Sequence, residues 1–215
     1  MGIKERKERE KDRRRELILN AAGEIVAEEG IDKLSIRKIA HRIEYSPAII
    51  YHYFRDKDDI LEHLLTRGYQ KIVGGFKSVQ EAAATPEQRI MGFARNYIHM
   101  ALQNTQEYKN YLLNDAPRIL DHTSVLFKGA SRQRQAVGML CQALKEVCRD
   151  KCPDDDRIEL TAQIIWASIF GLIIRMIIEK DLPPEQKQNL IEHHINMVID
   201  GMIPAGLAND RQRVK

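Results

Sequence analysis

Between Lys33 and Lys57 the sequence gathers side chains suited to recognising another molecule, not to transforming one. Lys33, Arg37, Lys38 and Arg42 set four cations within residues 33–43, with no acid among them. A guanidinium presents paired donors that match guanine O6 and N7, and any cation neutralises backbone phosphates regardless of sequence. Arg37 is the candidate for the paired contact, and Lys38 for a phosphate. Ser46, Tyr51, His52 and Tyr53 then supply hydroxyl and imidazole groups, with no Arg, Asn or Gln between residues 46 and 53. Lys57 follows Asp56, and a cation beside the unpaired N–H groups of a helix start suits a phosphate.

Short helices must position these groups. Ile36, Ile39, Ala40 and Ile43 recur at i, i+3, i+4 and i+7, the stripe of a helix with one buried face, and Ser35 stands where its N-cap belongs. The pattern stops at Glu44-Tyr45. Ser46-Pro47 then gives a cap residue and a proline at the first helical position. A short helix over Pro47–Tyr53 follows, with Ile50 and Phe54 anchoring its inner side, so Tyr51 and Tyr53 cannot both be core. Asp56 caps a third helix that begins at Lys57, with Asp58 and Asp59 at the positive end of its dipole. Helix, tight turn and short helix form a helix-turn-helix, whose second helix fits a DNA major groove. Upstream, Leu17, Ala21 and Ile25 with Ile18, Ala22 and Val26 predict a helix closing at Gly30.

The run LSIRKIAHRI followed by SPAIIYHYFRDKDDIL resembles the DNA-binding domain of the TetR family of bacterial transcriptional regulators, over roughly residues 13–65. The likeness rests on the helix ending in Gly30, on Ser35, Arg37 and Ala40, and on the Tyr51, Phe54, Lys57 run. It implies that Ser35, Arg37, Lys38, Ser46, Pro47, Ala48, Tyr51, His52, Tyr53 and Lys57 face double-stranded DNA. Where the family has glycine in the turn, this chain has Glu44, which adds a negative charge near the DNA.

The chain has 215 residues, 43% hydrophobic and 30% charged, with a formal net charge of +3. That describes a globular chain with ample length for a core. Residues 4–15 hold eight Lys/Arg against four Asp/Glu, so the arm before the first core helix is basic and is either a helical extension or disordered. The charged N-terminus does not resemble a signal peptide. The longest uncharged run, Leu160 to Ile174, falls short of a membrane span. A cytoplasmic protein is the expectation. Cys141, Cys148 and Cys152 are odd in number and contain no Cys-x-x-Cys, which argues against a disulfide framework or a zinc ribbon. No nucleophile elbow, phosphate-binding glycine loop or His-Glu-x-x-His is present, so neither an enzyme nor a cofactor or metal site is expected.

The rest of the chain reads as all-α. Thr85-Pro86-Glu87-Gln88 is a capping box, and further helices are predicted over 125–149, 156–180 and 185–203. The expected division is a helix-turn-helix domain over 1–62 and a helical ligand-binding and dimerisation domain over 63–215. The segment 158–180 is apolar nearly all round and must be buried against several neighbours. The resemblance implies a homodimer through 158–180 and 185–203, packed as a four-helix bundle, with Ile195 facing the partner. Phe93, Tyr97, Met100, Trp166 and Phe170 suit the lining of an apolar pocket, and equally a solid core. Related members commonly have histidine-glycine where this chain has Phe170-Gly171, which implies a more apolar small-molecule effector. Two functional readings stand: a dimeric ligand-responsive regulator, most simply a repressor, on a palindromic operator; or an α-helical scaffold whose basic arm binds RNA, anionic lipid or a protein partner.

Overall fold

The computed structural model describes residues 2–148 and 153–207, all in helices and connecting loops. In chain order the helices are α1 (Ile3–Glu29), α2 (Ile36–Arg42), α3 (Pro47–Tyr51), α4 (Lys57–Ala82), α5 (Pro86–Gln103), α6 (Thr105–Leu112) and α7 (Pro117–Thr123). They continue as α8 (Ala130–Gln133), α9 (Gln135–Cys148), α10 (Asp155–Ile178), α11 (Pro184–Met197) and, after a π turn at Val198–Met202, α12 (Ile203–Leu207). The all-α expectation holds. Packing divides the chain into one unit of Met1–Tyr69 with Gln106–Thr123, and another of Gln70–Thr105 with Ser124–Lys215. The division falls within α4, seven residues beyond the expected 62/63 boundary, and α6 and α7 return to the first unit.

In the first unit α1 contributes Ile18, Ala22, Ile25 and Val26, α2 Ile39 and Ala40, α3 Ile50, and α4 Ile60, Leu61, Leu64 and Leu65 to one core. Tyr111 of α6 and Ile119 of α7 complete it. Gly30 ends α1 at φ 93°, a left-handed conformation that L side chains rarely adopt. The basic arm takes the first of its two predicted forms: α1 is continuous from Ile3.

In the second unit α5 packs on α9, α10 and α11. The Thr85–Gln88 capping box forms as expected. A Cβ at Gly75 of α4 would collide with Asn96 of α5, and one at Gly92 of α5 with Val79 of α4, so the later part of α4 lies closely against α5. The helix predicted over 125–149 does not form as one piece. Gly129 turns at φ 88°, and α10 holds the preceding loop open: Gln163 Nε2 donates to the carbonyls of Val125 at 2.8 Å and Phe127 at 2.9 Å. One turn earlier, the buried Glu159 carboxylate accepts the N–H groups of Gly129 at 2.6 Å and Ser131 at 2.8 Å, and the Ser131 hydroxyl. Helix α10 is, by length and composition alone, apolar enough to cross a membrane. Counting only the uncharged run missed this, because the helix continues past its charged ends. Its inward Ile158, Ile165, Ile169, Ile173 and Met176 are buried in the unit's core.

Other expectations shift here. Ile195 is 1% exposed, so it serves the core of its own chain and does not face outward. Cys141 is buried, and burial pushes its thiol up to about 11. Cys148 is disulfide-bonded, although the odd cysteine count argued against a disulfide framework, and Cys152 lies outside the described residues. His194 is half-buried and lies 3.3 Å from the Ser168 hydroxyl, and burial lowers its pKa.

Burial pushes the Glu159 carboxyl up, but its hydrogen bonds from Ser131 and from the N–H groups of residues 129–131 outweigh this and hold it below the usual range. A carboxylate depressed in the folded state stabilises above its unfolded pKa of about 4.3, and that contribution is lost as pH falls through the folded value. Glu159→Gln should therefore cost about 1–3 kcal/mol at pH 7 in urea unfolding, and the deficit should be smaller at pH 3. An equal deficit at both pH values would contradict this account of the loop.

Candidate nucleic-acid interface

The helix-turn-helix is assembled by caps at each joint. The Ser35 hydroxyl accepts from the Lys38 N–H at 3.3 Å to start α2. At its end Tyr45 N–H returns to the Ala40 carbonyl at 2.9 Å and Glu44 N–H to His41 at 3.3 Å. This closure requires a left-handed residue, and Glu44 takes it at φ 58°, the only non-glycine with positive φ among the described residues. The turn keeps the geometry that glycine would give it. Asp56 caps α4 through the Asp59 N–H at 2.8 Å, while the Asp59 carboxylate accepts from the Arg55 N–H at 2.9 Å.

Helix α3 spans five residues, Pro47–Tyr51, two fewer than expected at its C-terminal end. Ile50 and Phe54 are buried at 0% and 2% exposure. Ser46, Pro47, Ala48, Tyr51 and His52 point to solvent. Tyr51 is 58% exposed, and Ser46 makes no capping bond with its side chain. Arg37 is exposed on α2, with no ion pair among the described residues, and Lys57 is exposed at the start of α4.

The remaining candidates are more constrained. Lys38 pairs with Glu29 of α1. Arg42 pairs with Glu28 at 2.6 Å and Glu24 at 3.6 Å, and its hydrogen bond with Glu28 raises its pKa. The acid-free charge of residues 33–43 is thus partly answered from another helix. Tyr53 is half-buried and packs against the core, with Arg15 donating to its carbonyl at 3.1 Å. Arg15 was not singled out from the sequence. Its guanidinium also lies 4.5 Å from the centre of the Phe54 ring and 2.5 Å from His63 Nε2. Only its place in the basic run marked it, and nothing local distinguished it from Arg13 or Arg14.

The candidates for an effector site lie in the second unit. Phe93 stacks on Phe76 at 4.4 Å, and Tyr97 meets Trp166 at 4.8 Å. Phe93 and Tyr97 are buried, while Met100, Trp166 and Phe170 are half-buried.

A capped helix-turn-helix that exposes Ser46, Tyr51 and His52, with a second helical unit in the same chain, has the form of a DNA-binding domain joined to another domain. Residues 18–64 match the family described as bacterial regulatory proteins, tetR family. The chain is 26% identical to the HTH-type transcriptional regulator BetI of Rhizobium meliloti over 199 residues, covering 89% of this chain and 94% of that protein. Its fold matches a TetR-family transcriptional regulator from Rhodococcus sp., with TM-score 0.69, 18% identity and coverage of 87% and 99%. It also matches the fatty acid degradation regulator FadR of Bacillus halodurans, with TM-score 0.64, 16% identity and coverage of 87% and 95%. Residues 18–64 thus carry the likeness to the tetR family, and over most of its length the chain is similar to HTH-type transcriptional regulators. Its relatives are regulators, not enzymes.

The left-handed Glu44 generates a stability prediction. A left-handed L-residue costs about 1–2 kcal/mol, and glycine gives back about 0.5–1 kcal/mol through its greater loss of freedom on folding. Glu44→Gly should stabilise the first unit by about 0.5–1 kcal/mol in thermal or urea unfolding. A loss of stability would mean that the Glu44 side chain contributes more than its backbone costs.

Proposed function

We propose that this regulator is a homodimeric repressor that reads a palindromic operator in the cytoplasm and is released by a small, apolar effector. The observation that carries the dimer, and with it the palindrome, is the outer face of α10. Leu160 and Ile164 are 61% and 58% exposed, and Ile178 is also exposed. Together with the exposed Gly171 they fall within about 40° of arc at 3.6 residues per turn. A straight apolar stripe on a helix whose other side fills a core is a surface that needs a partner. Met197 of α11 is exposed as well. A two-fold axis through such a face makes a self-complementary contact and pairs two reading heads with two half-sites.

For the effector, the support is the aromatic group of Phe76, Phe93, Tyr97 and Trp166 between α4, α5 and α10, beside the half-buried Met100 and Phe170. Helix α4 runs unbroken from the reading head into the helical unit. A ligand that shifts its later part therefore has a direct route to the DNA-binding residues.

Ile164→Glu tests the assembly without disturbing the core, because its side chain already faces solvent. The variant should keep its helicity and sediment as a monomer at micromolar concentration. It should bind a palindromic duplex about 10²–10⁴-fold more weakly than the parent, the usual gain from linking two sites. A dimeric variant with undiminished binding, or a parent chain that is itself monomeric, would sink the proposal. Binding by the parent that ignores DNA sequence would favour the scaffold reading instead.

A further inference from the structure

A cleft of about 210 Å³ opens in the second unit between residues 128–132, α9 and the first turns of α10. It shares no lining residue with the aromatic group of Phe76, Phe93, Tyr97 and Trp166. Pockets for drug-sized molecules run to about 300–1,000 Å³, so this one suits something smaller. At about 30 Å³ for each water it has room for about seven, which sets the size of an occupant in non-hydrogen atoms. Cys141 of α9 and Ile158 of α10 give it a buried apolar part.

The rest of the lining is charged, and the charges balance. Lys128, Arg132 and Lys145 face Asp155, Asp156 and Glu159. Glu159 is already committed to the N–H groups of Gly129 and Ser131 and to the Ser131 hydroxyl. Those bonds hold the loop wall in place, so little ordering remains for a ligand to impose. Lys128 pairs with Asp156 at 2.6 Å and Lys145 with Asp155 at 2.7 Å, and three of these four side chains are more than half exposed. A carboxylate offers about four acceptor positions and an ammonium three donors, so each pair keeps capacity for another partner. Arg132 is exposed and makes no ion pair among the described residues. No group of three His, Cys, Asp or Glu residues among the described residues could hold a metal ion.

We propose that this cleft binds a small zwitterionic amino acid, with its carboxylate on Arg132 and its ammonium on Asp155 and Asp156. The planar guanidinium fork matches a carboxylate with two parallel hydrogen bonds. A ligand carrying both signs answers a lining whose formal charges sum to zero. A simple anion or a simple cation of the same size would leave one sign unmet. A short apolar side chain then meets Cys141 and Ile158. The site stands independently of the DNA-reading assignment and of the apolar effector.

Equilibrium dialysis of the full chain against radiolabelled L-alanine, at fixed ionic strength, tests this directly. Working levels of small metabolites run from about 1 μM to 1 mM, and saturation at one L-alanine per chain within that range is expected. Propionate and ethylammonium, which are alanine without its ammonium and without its carboxylate, should fail to displace the label. Glycine and L-serine should compete. Arg132→Gln and Asp155→Asn change exposed side chains, so helicity should be kept, and each should weaken L-alanine by about 10–100-fold. The ligand comparison itself needs no variant. If none of L-alanine, glycine and L-serine binds saturably up to 1 mM, about the top of that range, the proposal is overturned. Propionate that competes as well as glycine would make the cleft an anion site and overturn it equally. So would L-alanine binding that both variants leave unchanged.

Discussion

A five-residue helix cannot hold itself together in water, because nucleating a helical turn costs more than so few hydrogen bonds return. The reading head depends on how α3 is held from behind. Ile50 and Phe54 are driven into the core of α1, α2 and α4, and burying each is worth about 1.5–3 kcal/mol. Arg15 closes the C-terminal end by binding the Tyr53 carbonyl and covering the Phe54 ring. With the inward side so committed, Ser46, Pro47, Ala48, Tyr51 and His52 have only solvent, or a duplex, to meet. The caps at Ser35, Glu44 and Asp56 fix the angle at which that face is presented.

Electrostatics then select among the cations. Glu24, Glu28 and Glu29 lie on the side of α1 that meets α2, where they occupy Arg42 and Lys38. Exposed pairs of this kind are worth little in stability, but they decide which charges remain available. Arg37 is left as the guanidinium on α2 with no ion pair among the described residues, and Lys57 sits at the positive end of α4. One can make a paired contact with a base edge; the other sits where backbone N–H groups and charge together favour a phosphate.

Much of this was legible in the sequence because local rules and the tertiary fold agree. The Ile36, Ile39, Ala40 stripe, the Ser46-Pro47 start and the Thr85–Gln88 box each specify a helix boundary through neighbours within a few residues. The inward pair Ile50 and Phe54 follows from their i, i+4 spacing. What escaped depends on partners distant in the chain. Nothing near residue 125 announces that Gln163 and Glu159 would hold residues 125–131 out of a helix. Nothing near Lys38 announces Glu29. Ile195 and Ile164 are both apolar and both on helices of mixed burial, so only the packed structure separates the core residue from the exposed one. Arg15 was hidden in a run of like charges, and its bond to a backbone carbonyl 38 residues away leaves no trace in local pattern.

We propose that the outward face of α2 and α3 reads base sequence, with Arg37 as the reader and Lys57 as a holder of the backbone. The most direct measurement compares Arg37→Ala and Lys57→Ala for binding to a selected duplex and to random DNA of the same length. Arg37→Ala should lose about 1–3 kcal/mol on the selected duplex and little on random DNA, while Lys57→Ala should weaken both alike and flatten the salt dependence by about one unit. Equal losses on both duplexes for Arg37→Ala would contradict its role, and with it the claim that this face reads sequence through that side chain.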